Sequence, residues 1–180
     1  VTDAAEQQAL RDPLANLEGR VDLRDQLIIP VDGEDTRDID DAISIAKKDG
    51  KYYLGVHIAD VTNYVKWHSV LDNEALSRGT SVYFPDRVIP MLPTALSNNI
   101  CSLNEGVARL TLSCFMTVAK SGKVIQRSVM PLVFSSPPRL TYNARTAIAN
   151  FAPSACSTYP ARPSYSPTSA DHTHILNTAA

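Results

Sequence analysis

The stretch AISIAKKDGKYYLGVHIA, residues 42–59, decides the fold of this chain. Apolar and other side chains alternate on both sides of Asp49-Gly50, which is the pattern of two half-buried strands. An Asp-Gly pair favours a two-residue type I′ turn, because both central positions of that turn need positive φ. The sequence therefore predicts a β-hairpin in which Lys48 pairs with Lys51.

Weaker signals on both sides of this hairpin complete the predicted fold. Ser69 and Asp72 resemble a capping pair and Gly79 a helix end, which predicts a short helix over 69–78. The other predicted elements are strands at 27–29 and 81–84 and a second hairpin with strands at 110–119 and 123–134 around Lys120-Ser121-Gly122. Together they predict an α+β fold with a mixed, largely antiparallel sheet and short helices.

Length and composition are those of one globular domain, with 180 residues, 44% apolar and 20% charged. The apolar runs are too short to cross a bilayer. The three cysteines form no CxxC pair, so we expect neither a disulfide framework nor a zinc knuckle, and a cytoplasmic location. Residues 1–19 are expected to be a linker or short helix, and residues 143–180, rich in Ala, Ser, Thr and Pro, a disordered tail.

Charge is distributed unevenly along the chain. Residues 1–60 carry a net charge of −7, whereas residues 61–142 carry +4. An acidic first third beside a basic middle suits a metal site next to a surface that holds an anionic ligand. Chance segregation of solvated charges is the alternative interpretation.

Six carboxylates fall within the ten residues DGEDTRDIDD, 32–41, just before the first hairpin. We call this stretch the acidic segment. Carboxylates crowded together raise one another's pKa unless a cation compensates, and Mg²⁺ prefers such oxygen ligands. In extended chain Asp38 and Asp40 point to one side and Asp41 to the other. Asp32 is expected to fold back across Gly33, and the hairpin register brings Asp60 near as a possible further carboxylate.

The acidic segment also allows other interpretations. An EF-hand fails, because Arg37 stands where the loop needs Gly and Ile43 where it needs Glu. A glycosyltransferase of the DxD type, with Asp38-Ile39-Asp40 holding a metal and a nucleotide diphosphate, stays open on this pattern. So does a solvated acidic loop with Arg37 as its internal counter-ion.

The acidic segment also resembles the signature of the RNB catalytic domain of the ribonuclease II and ribonuclease R family. Further matching blocks follow in order, and the resemblance covers roughly residues 20–142 and is closer to ribonuclease R. These blocks are VHIADV (56–61), RGTSVYFP (78–85), VIPMLP (88–93), LSNNICSLN (96–104) and RLTY (139–142).

This resemblance implies a hydrolase that degrades single-stranded RNA from the 3′ end to nucleoside 5′-monophosphates with Mg²⁺, or with Mn²⁺ in its place. The family's metal-site aspartates match Asp32, Asp38, Asp40 and Asp41. Of these, Asp38, Asp40 and Asp41 are the expected catalytic residues, and Asp40 is the one most directly tied to catalysis. Tyr83 matches the aromatic that stacks on the 3′-terminal base. The protein is expected to be a monomer that binds single-stranded RNA. His57, on a strand face, is expected to be a hydrogen-bonded structural histidine.

The resemblance stops after Tyr142, and the family's second stacking aromatic, its cleavage arginine and its flanking β-barrel domains have no match here. We therefore expect a truncation or a change of reading frame near residue 143, and weak or no activity. Two other classes of function stay open from the residues: the DxD transferase, and a non-catalytic RNA-binding fragment.

Overall fold

The computed structural model describes Leu14, residues 17–137 and residues 139–141. In these residues the strands are β1 (Val21–Asp22), β2 (Val31–Asp32), β3 (Asp41–Lys48), β4 (Lys51–Ala59), β5 (Val82–Tyr83), β6 (Val88–Ile89), β7 (Ala108–Val118), β8 (Val124–Ser135) and β9 (Leu140–Thr141). The central sheet has five strands in the order β1-β8-β7-β4-β3, and within it β1 is the strand that pairs in parallel. Two separate ladders, β2-β9 and β5-β6, have two strands each.

The first hairpin has the predicted register. Lys48 pairs with Lys51, and Asp49 and Gly50 both have positive φ, 51° and 72°. The ladder reaches the acidic segment, where the N–H of Ala59 donates to the carbonyl of Asp40 at 2.9 Å. The hairpin thereby fixes the backbone at the carboxyl end of the acidic segment.

The second hairpin, β7 and β8, is also confirmed, and it closes at Gly122 with φ of 84°. Because β7 pairs with β4, the two hairpins form one continuous sheet. The predicted α+β fold with a largely antiparallel sheet is therefore confirmed.

The predicted helix, α1, spans Val70–Arg78. The Ser69 hydroxyl accepts from the N–H of Asp72 at 3.2 Å, and Gly79 ends the helix in the left-handed conformation. No helix in the described part of the chain is long and apolar enough to cross a membrane.

The strand predicted at 27–29 is wrong. Ile29 makes a single bridge to Ile43, and the chain becomes a strand only after Pro30, in β2. The reason is that the partner of β2 is β9, which lies more than a hundred residues away, so local apolar content does not mark it. The predictions for residues 1–13, 15, 16 and 142–180 lie outside the described residues.

One side of the sheet packs into the core around Leu132 and Phe134, which are fully buried. Ile39, between two aspartates of the acidic segment, is buried in the same cluster, as is Leu103. The side chain of Ile39 thus anchors the acidic segment to the core, and its two neighbours stay at the surface side.

His57 lies on the buried face of β4 with no exposed surface. Its Nδ1 lies 2.9 Å from the hydroxyl of Ser113 and its Nε2 lies 3.0 Å from the hydroxyl of Ser44. Gly55 leaves the space for this arrangement, since a Cβ there would lie 2.7 Å from His57 Nε2. The expectation that His57 is a hydrogen-bonded structural histidine agrees with these contacts.

Candidate functional site

The acidic segment connects β2 to β3. It begins with a turn in which the N–H of Thr36 donates to the carbonyl of Gly33 at 3.3 Å. The Asp32 carboxylate accepts from the N–H of Gly33 at 2.8 Å, at the start of this turn. The segment ends where Asp41 starts β3 opposite Ile58.

Asp38 and Tyr83 meet although 45 residues separate them in the chain. The Tyr83 hydroxyl donates a hydrogen bond to the Asp38 carboxylate. This bond raises the pKa of Tyr83, because its proton is held by a carboxylate. The Tyr83 side chain is 63% exposed, so its ring is accessible beside the carboxylates. The structure therefore brings two of the predicted site residues together.

Asp40 is the electrostatic centre of the acidic segment. Its pKa is raised, first because neighbouring atoms remove water from the carboxyl group and next because Asp41 carries like charge close by. Asp38 and Asp32 raise the pKa of Asp40 further. All four predicted metal ligands therefore lie within electrostatic reach of one carboxyl group, and each of them makes the site a better place for a cation.

Asp60 does not join this group. Its side chain is buried and forms an ion pair with Arg20 at 2.6 Å. It also accepts a hydrogen bond from the hydroxyl of Thr62 at 2.7 Å. The idea that the hairpin register adds Asp60 to the acidic segment is therefore wrong, because register fixes the position of the backbone and not the direction of the side chain.

Two side chains that hydrogen-bond to the backbone of the acidic segment were not predicted as functional residues from the sequence. The Ser102 hydroxyl bonds to the backbone of Arg37 and Ile39. The Arg139 guanidinium donates to the carbonyls of Glu34 and Thr36. A small polar residue inside the apolar run Ile100–Leu103 is the signal that could have pointed to Ser102.

The donor set suits a hard divalent ion, since Asp32, Asp38, Asp40 and Asp41 supply carboxylate oxygens whose mutual repulsion a cation relieves. Within the described residues, no three His, Cys, Asp or Glu side chains are arranged to hold a metal ion as they stand. Binding an ion therefore requires side chains to reorient, and Asp38 has to share its carboxylate with the Tyr83 hydroxyl. Metal-ligand chemistry fits this segment, whereas a preformed cage is not present in the described residues.

The family model of the RNB domain matches residues 20–161. Because this match covers most of the chain, the chain belongs to the RNB family. The match runs past Tyr142, where the resemblance in the sequence was expected to end.

Several curated proteins that match this chain are named ribonuclease R. That of Thermotoga maritima is 56% identical over 128 residues, which are 71% of this chain and 18% of that protein. Mycoplasma genitalium RNase R in complex with ribose methylated single-stranded RNA has a TM-score of 0.72 at 31% identity, covering 83% of this chain and 24% of that one. The chain thus spans about a fifth of the length of the curated relatives it matches.

A pseudonuclease shares the fold as well. Yeast Ssd1, which is described as a pseudonuclease, has a TM-score of 0.65 at 22% identity, covering 76% of this chain and 17% of that one. At that identity the likeness shows the fold alone. A shared fold does not by itself establish a function, which depends on the side chains of the site.

Proposed function

We propose that this chain supplies the metal-binding and base-stacking part of an RNA-degrading site. The proposed reaction is hydrolysis of single-stranded RNA from the 3′ end, releasing nucleoside 5′-monophosphates. The observation that carries the proposal is the hydrogen bond from Tyr83 to Asp38, beside Asp40, whose pKa is raised first by burial and then by three neighbouring aspartates.

Each residue has a distinct task in this proposal. Asp32, Asp38, Asp40 and Asp41 hold Mg²⁺, or Mn²⁺ in its place. When bound, such ions activate water and stabilise charge on phosphate oxygens. The pKa of Asp40 is raised by burial and by the charges of the other three aspartates, so a cation bound here would favour the charged form of Asp40.

The exposed ring of Tyr83 offers the 3′-terminal base a stacking surface. Stacking on an aromatic ring tolerates every base, as a sequence-independent degrading enzyme requires. The hydroxyl of the same side chain touches Asp38, so the stacked nucleotide would lie next to the ligands of the ion.

The chain alone is expected to act weakly. It spans about a fifth of the length of relatives named ribonuclease R. A phosphoryl-transfer site that lacks a charge-stabilising group commonly loses two or three powers of ten in rate. We therefore propose weak binding of the divalent ion and slow or absent degradation by this polypeptide.

A DxD transferase is not favoured. It needs a nucleotide-binding βαβ unit, whereas the parallel pairings in the described residues, β1-β8 and β2-β9, each span only two residue pairs. A non-catalytic RNA-binding fragment is the second candidate, and it predicts RNA affinity that survives loss of the aspartates and of the metal.

The experiment is incubation of the chain with a 5′-labelled single-stranded RNA of 30 nucleotides, with Mn²⁺ or with EDTA. Slow shortening from the 3′ end that requires Mn²⁺ supports the proposal. RNA binding that is unchanged by EDTA and by loss of the aspartates indicates the non-catalytic fragment. Efficient degradation to the end of the strand would contradict the expected weakness of the chain.

Replacing Tyr83 by Ala is expected to weaken binding of single-stranded RNA by about 5- to 150-fold, since one stacked base contributes about 1–3 kcal/mol. Tyr83→Phe keeps the ring and should retain most of this affinity. Fluorescence anisotropy with a decamer labelled at its 5′ end measures the effect and leaves the 3′-terminal base free to stack. Phe84→Ala is the matched control, because Phe84 is an exposed aromatic on the next residue, with Arg87 over its ring. Equal losses in both Ala variants would argue against a specific stacking site at Tyr83.

A further inference from the structure

A single hydroxyl holds the acidic segment on both sides of Asp38. Ser102 Oγ donates to the carbonyl of Arg37 at 2.8 Å and accepts from the N–H of Ile39 at 3.1 Å. The two bonded groups flank Asp38 directly. The backbone that carries this carboxylate therefore cannot rotate freely without breaking a buried hydrogen bond.

Ser102 is itself fixed, with only 1% of its surface exposed. Its carbonyl accepts from Arg109 Nε at 2.8 Å. The next residue extends the same contact, because the N–H of Leu103 donates to the carbonyl of Ile39 at 2.8 Å. Residues 37–39 are thus held by a support that belongs to a distant part of the chain.

We propose that Ser102 is a positioning residue for the divalent ion, acting through the backbone on either side of Asp38. This inference rests on the proposed function. Four repelling carboxylates converge on one ion only if the backbone resists their separation, and a support behind the ligands provides that resistance. The Ser102 hydroxyl touches no ligand oxygen, so its effect on the ion is indirect.

Ser102→Ala is expected to weaken Mn²⁺ binding by about 10-fold, the usual effect of removing a group that orients metal ligands. Isothermal titration of Mn²⁺ into the full chain measures this change. The matched control is Ser113→Ala, which also removes a buried hydroxyl but one that bonds to His57 and Thr111, away from the acidic segment. Its Mn²⁺ affinity should equal that of the wild type even where its stability falls.

Two further measurements separate positioning from general stability. Ser102→Thr keeps a hydroxyl at the same place and should retain most of the Mn²⁺ affinity. In the metal-free Ser102→Ala chain, the amide of Ile39 should exchange its hydrogen faster. The amide of Ala59, which donates to Asp40, should keep its protection.

Each of these measurements either supports or overturns the positioning role of Ser102. Wild-type affinity in Ser102→Ala, or an equal loss in Ser113→Ala, overturns the positioning role and leaves the proposed function standing. No Mn²⁺ binding by the wild type overturns the proposed function and this inference with it. Should Ser102→Ala not fold, a wild-type Ile39 amide that exchanges as fast as an open turn would overturn the inference.

Discussion

The double variant Asp38→Asn/Asp40→Asn is expected to lose at least about 100-fold in Mn²⁺ affinity, more than loss of an orienting group costs. It removes two of the four carboxylates that act on one another in the acidic segment, including the one at its centre. An amide oxygen still donates electrons but carries no charge, so the main attraction for a divalent ion disappears. Isothermal titration at neutral pH measures the loss.

The charge-matched control for this variant is Asp49→Asn/Asp86→Asn. Asp49 lies in the first hairpin turn, where Asn tolerates positive φ, and Asp86 is an exposed residue of the loop between β5 and β6. Both variants change the net charge equally, so a general electrostatic effect would appear in both. Equal Mn²⁺ affinity of the two double variants would contradict a site at the acidic segment.

The stability of the aspartate variant should move in the opposite direction from its metal binding. The raised pKa of Asp40 means that its charged form is disfavoured in the folded chain. Asn at this position removes the repulsion, so without metal the double variant should unfold at the same or higher urea concentration than the wild type. A marked loss of stability would indicate that these carboxylates hold the fold and not an ion.

The second large effect is a loss of stability in mild acid that comes from His57. Burial lowers the pKa of His57 from its usual 6.5 to about 4. Between these two values the unfolded chain binds a proton that the folded chain does not, so the free energy of unfolding falls as the pH falls. The stabilisation that comes from the neutral, buried His57 is fully present above pH 6.5. Below that pH the free energy of unfolding falls by about 1.4 kcal/mol per pH unit, and the total loss near pH 4 is about 3 kcal/mol.

Urea unfolding at pH 7 and pH 5 measures this decline, and His57→Gln serves as the comparison because it keeps a polar side chain without a titrating ring. The difference between the two proteins should shrink at pH 5. A parallel fall in both would assign the acid sensitivity to other groups. If His57→Gln does not fold, the NMR titration of the His57 ring in the wild type decides, and a midpoint near 6.5 would contradict the assignment.

The first hairpin could be predicted from the sequence because its determinants are local. Asp49-Gly50 sets the turn, and the alternation in β4 sets which side chains are buried, so the register followed down to Asp40 and Ala59. The same logic predicted α1, whose two ends are marked by Ser69 and Gly79.

The two-residue strands β1, β2 and β9 could not be predicted, because each pairs with a strand more than a hundred residues away. By contrast, β5 lies within the strand predicted at 81–84. β2 pairs with β9, and β1 pairs with β8, with no local pattern that marks β1, β2 or β9. Likewise the clustering of aspartates was visible in the sequence, but the support from Ser102 was not. A hydrogen bond between residues 63 positions apart is decided by tertiary packing.

The direction in which a side chain points could not be predicted from the sequence either. The hairpin register correctly predicted that the backbone of Asp60 lies near the acidic segment. The Asp60 carboxylate, however, pairs with Arg20 and Thr62 and not with the acidic segment. In the opposite sense, Tyr83 was assigned to the site by resemblance alone, and its contact with Asp38 supplies a physical link that no spacing in the sequence revealed.

The most direct test of the central claim is paramagnetic broadening of the backbone amide signals of the full chain as Mn²⁺ is added in substoichiometric steps. We expect the broadening to begin at residues 32–41 and at Tyr83 and to spare the turns at Asp49 and Asp86. Uniform broadening at every exposed carboxylate, or none at the acidic segment, would contradict it.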